Sequence, residues 1–113
     1  MKRGYDFVAL TDHNTQSAIP EITSLAGEAI TILSGVELTT FNGHAVVLGV
    51  NEWTEWRVKD GSSMSALASD LQNRGALYII AHPKSEGHPI CTGCRWAFSD
   101  MMPGPARHVE VWN

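Results

Sequence analysis

Four residues of this 113-residue chain stand out as candidates to hold a divalent cation: His13, Glu37, His44 and His82. Imidazole and carboxylate together suit borderline ions such as Zn²⁺, Mn²⁺ and Fe²⁺, whereas an all-thiolate set would point to structural zinc or an iron–sulfur cluster. A carboxylate such as Glu37 can bridge two ions, and paired ions can activate a water and stabilise the leaving oxygen of a phosphoryl displacement. Taken singly, each of these histidines is as ordinary as any surface or hydrogen-bonded imidazole. What singles them out is where they stand along the chain. Asp12, beside His13, is either a carboxylate that orients the site or a turn-forming residue.

Three of the four close apolar runs. Tyr5-Asp6-Phe7-Val8-Ala9-Leu10 is followed by Thr11-Asp12-His13-Asn14, Ile30 to Val36 ends at Glu37, and Leu77-Tyr78-Ile79-Ile80-Ala81 ends at His82-Pro83. Short apolar runs of this kind read as buried strands, and in barrels of parallel strands the C-terminal edge is where chemistry is done. Between the first two runs, Ser17-Ala18-Ile19-Pro20-Glu21 reads as a helix start, with proline tolerated in the first turn and an acid near the positive end; the helix is expected to reach Ala26-Gly27. Asn42-Gly43 is a hairpin signal, with Ala45 to Val50 as the returning strand. Residues 51–61 read as loop. A second helix, capped by Ser62 or Ser63, carries Met64, Leu67, Ala68 and Leu71 at the spacing of one buried face, and Gly75 stops it. Residues 83–107, rich in Pro and Gly, form a loop too long for a simple connection. His108 to Asn113 begins a further core strand. The chain opens a few residues before one strand and stops on another, so both ends are expected to have been cut from a larger domain.

Composition narrows the class. A net charge of −4 speaks against a dedicated nucleic-acid surface, which is normally basic. No apolar stretch approaches the roughly 18 residues of a membrane span, and the basic Met1-Lys2-Arg3 leads into a strand pattern rather than a signal peptide. Two cysteines without an export signal fit a reducing cytoplasm.

Thr11-Asp12-His13-Asn14-Thr15, Gly35-Val36-Glu37, Gly43-His44 before an apolar strand, and Ala81-His82-Pro83 resemble, in order and spacing, the middle motifs of the PHP (polymerase and histidinol phosphatase) superfamily. Val109-Glu110-Val111-Trp112-Asn113 and Gly93-Cys94-Arg95-Trp96 look most like its CehA/McbA-type metallohydrolase branch. The resemblance implies an α/β fold, a partial distorted (β/α)7 barrel of mostly parallel strands with one hairpin, and two or three metal ions at its C-terminal face. It implies His13, Glu37, His44 and His82 as ligands, Glu37 as the bridge, and Asp12 in support of catalysis as an orienting carboxylate. The implied chemistry is hydrolysis of a small phosphoester by metal-activated water, with carboxylic ester or carbamate hydrolysis as the alternative. The family's opening His-x-His strand and late Asp-x-His strand are absent from residues 1–113. The implied reading is therefore an incomplete PHP-like domain, the central segment of an enzyme, inactive by itself because its ligand cage is partial.

Cys91-Thr92-Gly93-Cys94 supports a rival. With His82 and His88 it offers an H-x5-H-x2-C-x2-C set able to close a tetrahedral zinc; the plainer alternative is two loop thiols packed on apolar surface. Lys84 and Arg95 are the cations best placed to meet an anionic substrate, with Asn113 as a further substrate contact. Two functions from different classes stand: a metal-dependent hydrolase, and a non-catalytic metal-binding or scaffold domain.

Overall fold

A computed structural model describes residues 4–58, 64–87, 90–100 and 107–112. The elements are β1 (Phe7–Leu10), α1 (Ile19–Ala26), β2 (Thr31–Thr40), β3 (Gly43–Leu48), α2 (Met64–Asn73), β4 (Leu77–Ala81) and β5 (His108–Val109). The strands lie in chain order in one sheet. The β1–β2 and β4–β5 pairs are parallel, and the β2–β3 and β3–β4 pairs antiparallel.

This arrangement overturns the expected partial (β/α)7 barrel of mostly parallel strands. The sheet is small, mixed and open, with β1 at one edge and β5 at the other. The hairpin at Phe41-Asn42 was expected; the departure is β4, which also runs antiparallel to β3, so that β3 stands between two antiparallel neighbours and the sheet does not close. The apolar run Leu77–Ala81 does not mark parallel neighbours on both sides, since β4 runs antiparallel to β3; Tyr78, Ile80 and Ala81 are buried while Leu77 is exposed. The strand expected over His108–Asn113 is two residues long and exposed, and Asn113 lies outside the described residues.

β2 is the organising strand. Its first half, Thr31 to Ser34, pairs with β1, and its second half, Gly35 to Thr40, pairs with β3. Gly35 stands at the exchange, where an added Cβ would lie 2.8 Å from the Leu10 carbonyl oxygen and 2.8 Å from Leu48 Cδ2; only glycine lets the neighbouring backbones approach this closely. Alternation along the strands sorts the two faces. Val36 and Leu38 on β2, Ala45 and Val47 on β3, and Tyr78 and Ile80 on β4 point into one core with Met64, Ala68 and Leu71 of α2. The i, i+4, i+7 spacing of those helix residues is the apolar stripe read from the sequence. Gly75, at φ +86°, ends the helix: its N–H bonds the Gln72 carbonyl at 2.9 Å, and the Ala76 N–H bonds the Leu71 carbonyl at 3.0 Å, the paired closure of a left-handed C-terminal cap. The Ser62 and Ser63 caps proposed for its start fall outside the described residues.

Tyr78 is fully buried in this core, and its hydroxyl has no hydrogen-bond partner among the described residues. Burial first, and the nearby Asp100 carboxylate second, push the phenol well above its ordinary value of 10.0. Above pH 10 the unfolded chain therefore gives up this proton before the folded one does, and stability falls as pH rises. Tyr78→Phe removes an unsatisfied polar atom and is expected to raise stability by about 1 kcal/mol at neutral pH. It should also erase the alkaline loss, as read by urea unfolding at two pH values; a destabilised variant would mean the hydroxyl is satisfied in solution.

Candidate metal centre

On the face of the sheet opposite the α2 core, alternation places Glu37 and Thr39 of β2, with His44 directly across from Thr39 and Ala81 of β4 across from His44. Glu37 therefore does not close a strand, as its run suggested. It sits inside β2, because Leu38-Thr39-Thr40 continues the strand into the hairpin. His13 likewise stands beyond β1, in an isolated parallel bridge to Glu37. His82 does follow the end of β4, and simple alternation would aim it at the core. Its φ of +31° turns it the other way. A non-glycine residue in this region is strained by about 1–2 kcal/mol and persists where surrounding contacts hold it, often at functional sites. Here the Glu110 carboxylate holds it, accepting the His82 backbone N–H at 2.7 Å.

The three histidines singled out in the sequence thus meet around the fourth residue, Glu37. Glu37 Oε1 lies 3.0 Å from His44 Nδ1 and 3.2 Å from His82 Nε2, and Glu37 Oε2 lies 3.7 Å from His13 Nδ1. The His13 and His44 ring centroids are 5.9 Å apart, and those of His44 and His82 5.1 Å. Ligand atoms held about 2.1 Å from a tetrahedral zinc are roughly 3.4 Å from one another, so these spacings match the edges of such a site.

The hydrogen bonds of His44 test whether a cation fits. Its ring is 1 % exposed, and Nε2 lies 3.0 Å from the Thr92 carbonyl oxygen. A carbonyl only accepts, so Nε2–H must donate, and the neutral ring presents a lone pair at Nδ1. That lone pair faces Glu37 Oε1. Two acceptors at 3.0 Å require a positive charge between them, a shared proton or a metal ion. Metal-ligating histidines are held in this way, with one ring N–H given to a carbonyl or carboxylate and the other nitrogen left for the ion. The residues fit the ion.

His13 is the loosest member. Its side chain is 65 % exposed and its Nδ1 lies 2.5 Å from Thr39 Oγ1, whose own proton goes to the Glu37 carbonyl at 3.3 Å. Asn14 fixes this strip. At φ +55°, its side chain accepts from the Thr39 N–H at 2.8 Å and donates to the Thr39 carbonyl at 3.0 Å, completing a strand edge that β1 does not reach. Asp12 contributes its backbone carbonyl, which accepts the Glu37 N–H at 3.1 Å; its side chain is exposed. Lys84 lines a cleft of about 490 Å³ with His82, Glu110 and Trp112. A second cleft of about 500 Å³ runs past Asn14, Thr39, Phe41 and Thr92. Arg95 is exposed and borders neither.

Cys91 and Cys94 are joined by a disulfide, which engages both sulfurs of the cysteine set with each other; its His88 lies outside the described residues. Cys94 lies beside His44, with Sγ 3.9 Å from Nδ1, and within reach of His82. Thr39, Asn14, Glu110 and the Thr92 carbonyl are the site residues to which sequence reasoning gave no role, although Asn14 and Glu110 stand in the motifs it singled out. Cys94 was signalled by the Cys-x-x-Cys spacing, which paired it with His82 but not with His44.

No protein-family model matches the sequence. The chain is similar to an uncharacterized protein of Methanocaldococcus jannaschii, with 33 % identity over 114 residues, covering 99 % of this chain and 60 % of that relative. The chain thus spans about three-fifths of the length of the curated relative it matches. Among the described residues, no helix is long and apolar enough to cross a membrane.

Proposed function

We propose that the chain carries the divalent-metal centre of a hydrolase acting on a small phosphorylated substrate, with Glu37, His44 and His82 as its inner ligands and His13 as an outer one. The observation that carries this reading is the Glu37 carboxylate with three imidazoles turned to its two oxygens, one of them locked by the Thr92 carbonyl. Because Oε1 serves His44 and His82 while Oε2 faces His13, the carboxylate suits a bridging role between two ions. A bound pair of Zn²⁺, Mn²⁺ or Fe²⁺ ions would supply Lewis acidity and an activated water. The chain's own residues do the rest. Thr92 fixes the His44 tautomer, Glu110 keeps His82 turned toward Glu37, and Lys84 places a positive charge on the cleft beside His82, where an anionic substrate would be met. The motif resemblance to PHP-type metallohydrolases agrees with this chemistry. Ester or carbamate hydrolysis would use the same residues.

The test is hydrolysis of an aryl phosphate and an aryl ester by the protein containing this chain, stripped with a chelator and reloaded with zinc or manganese. Phosphatase activity should vanish on stripping, return on reloading, and be lost in His82→Ala. Activity on the ester alone would move the substrate class. Bound metal with no turnover on either substrate would make this a non-catalytic metal-binding domain, and no bound metal would end the reading.

A further inference from the structure

The loop over the His44 ring holds a feature that the hydrolase reading does not use. Thr92, whose carbonyl fixes His44, lies between two cysteines that are bonded to each other. Cys94 is 4 % exposed, its Sγ 3.9 Å from His44 Nδ1. The ligand atoms of His44, His82 and Cys94 all fall within 4.8 Å of one another. A thiolate and an imidazole sharing a tetrahedral zinc stand roughly 3.5 Å apart, so Cys94 is within a few tenths of an ångström of a ligand position. While its sulfur is bonded to Cys91, that position is closed to it.

We propose that Cys94 is a redox-gated ligand of this centre: with the Cys91–Cys94 disulfide closed, the ion is held by nitrogen and oxygen alone, and reduction delivers a sulfur ligand to the His44–His82 pair. The inference rests on the metal-site reading above. Cys91 is the more accessible sulfur, so a thiolate of a dithiol reductant attacks there, the S–S bond breaks, and Cys94 leaves as thiolate. The reductant's second thiol gives up its proton and attacks the mixed disulfide, releasing Cys91, which is protonated. The reductant leaves as a disulfide, having yielded two electrons and two protons. The second proton rests on Cys94 until an ion displaces it to solvent. In a reducing compartment a cysteine pair of this kind is characteristically transient and redox-sensing rather than structural. The consequence is a change of metal preference. Nitrogen and oxygen ligands tolerate manganese, whereas an added thiolate favours zinc.

The experiment uses the full chain with Co²⁺ as the probe, comparing the oxidised protein with protein reduced by a phosphine and desalted without oxygen. Cobalt should bind in both states and show ligand-field absorption, and a sulfur-to-cobalt charge-transfer band should arise only after reduction. Zinc affinity, read by competition with a chromophoric chelator, should rise at least about tenfold on reduction while manganese affinity does not. Cys91→Ser should show the band without reductant, and Cys94→Ser should lack it in both states. Cobalt bound in the reduced protein without the band, or a band surviving in Cys94→Ser, would overturn the gating and leave the His–Glu centre standing. Failure to bind cobalt in either state would overturn the metal site itself, and the gating with it.

Discussion

Glu37→Gln is expected to lower zinc affinity at least about a hundredfold while the fold stays intact. The side chain is the point at which the site converges: one oxygen lies 3.0 Å from His44 Nδ1 and 3.2 Å from His82 Nε2, the other 3.7 Å from His13 Nδ1. An amide of the same shape keeps the packing but removes the negative charge that offsets a divalent ion. Calorimetric titration with zinc reads the affinity directly. Thermal melting gives an independent view, because an ion present at a hundred times its dissociation constant stabilises the native state by about 2.7 kcal/mol. The wild type should show that rise and Glu37→Gln should not. Equal affinity in the two proteins would remove Glu37 from the site.

Gly93→Ala is expected to cost about 2–4 kcal/mol of stability and to weaken metal binding as well. At φ +75° the position favours glycine, and an added Cβ would overlap the Thr40 carbonyl oxygen while coming within 2.8 Å of the Phe41 backbone. The overlapped atoms are main chain at the tip of the β2–β3 hairpin, so no side-chain rotation relieves them. The loop must lift. Thr92 lifts with it, and the bond from His44 Nε2 to the Thr92 carbonyl is lost. Urea unfolding measures the first effect and zinc titration the second. A destabilised variant with unchanged zinc affinity would separate the loop from the site and show that the Thr92 carbonyl does not hold His44 in its binding orientation.

The sequence alone was enough to single out Glu37, His44, His82 and His13 from five histidines and twelve acidic residues, because residue type names the possible ligands and their order and spacing along the chain selects among them. It was also enough to place α2, whose buried Met64, Ala68 and Leu71 follow a local 3.6-residue period and whose stop at Gly75 needs only a left-handed residue. The hairpin at Asn42-Gly43 was legible for the same reason, since turn chemistry acts over a few residues.

The sheet was not. An apolar run such as Leu77–Ala81 reports burial, but the direction of its neighbour is decided by backbone pairing with Gly43–Leu48, some thirty residues earlier. The same limit put Glu37 at a strand end on paper and inside β2 in the fold. Had the barrel expectation held, the ligands would have gathered at the ends of parallel strands. They gather instead on one face of a mixed sheet, through the cross-strand register of Thr39 with His44 and of His44 with Ala81, and through the left-handed turn at His82. Residue type determined which groups could bind an ion. Only tertiary structure decided which of their atoms face Glu37, that Asn14 and Glu110 hold the frame, and that Cys94 meets His44 as well as His82. Those contacts join positions far apart in the chain, and no local pattern encodes the packing that brings them together.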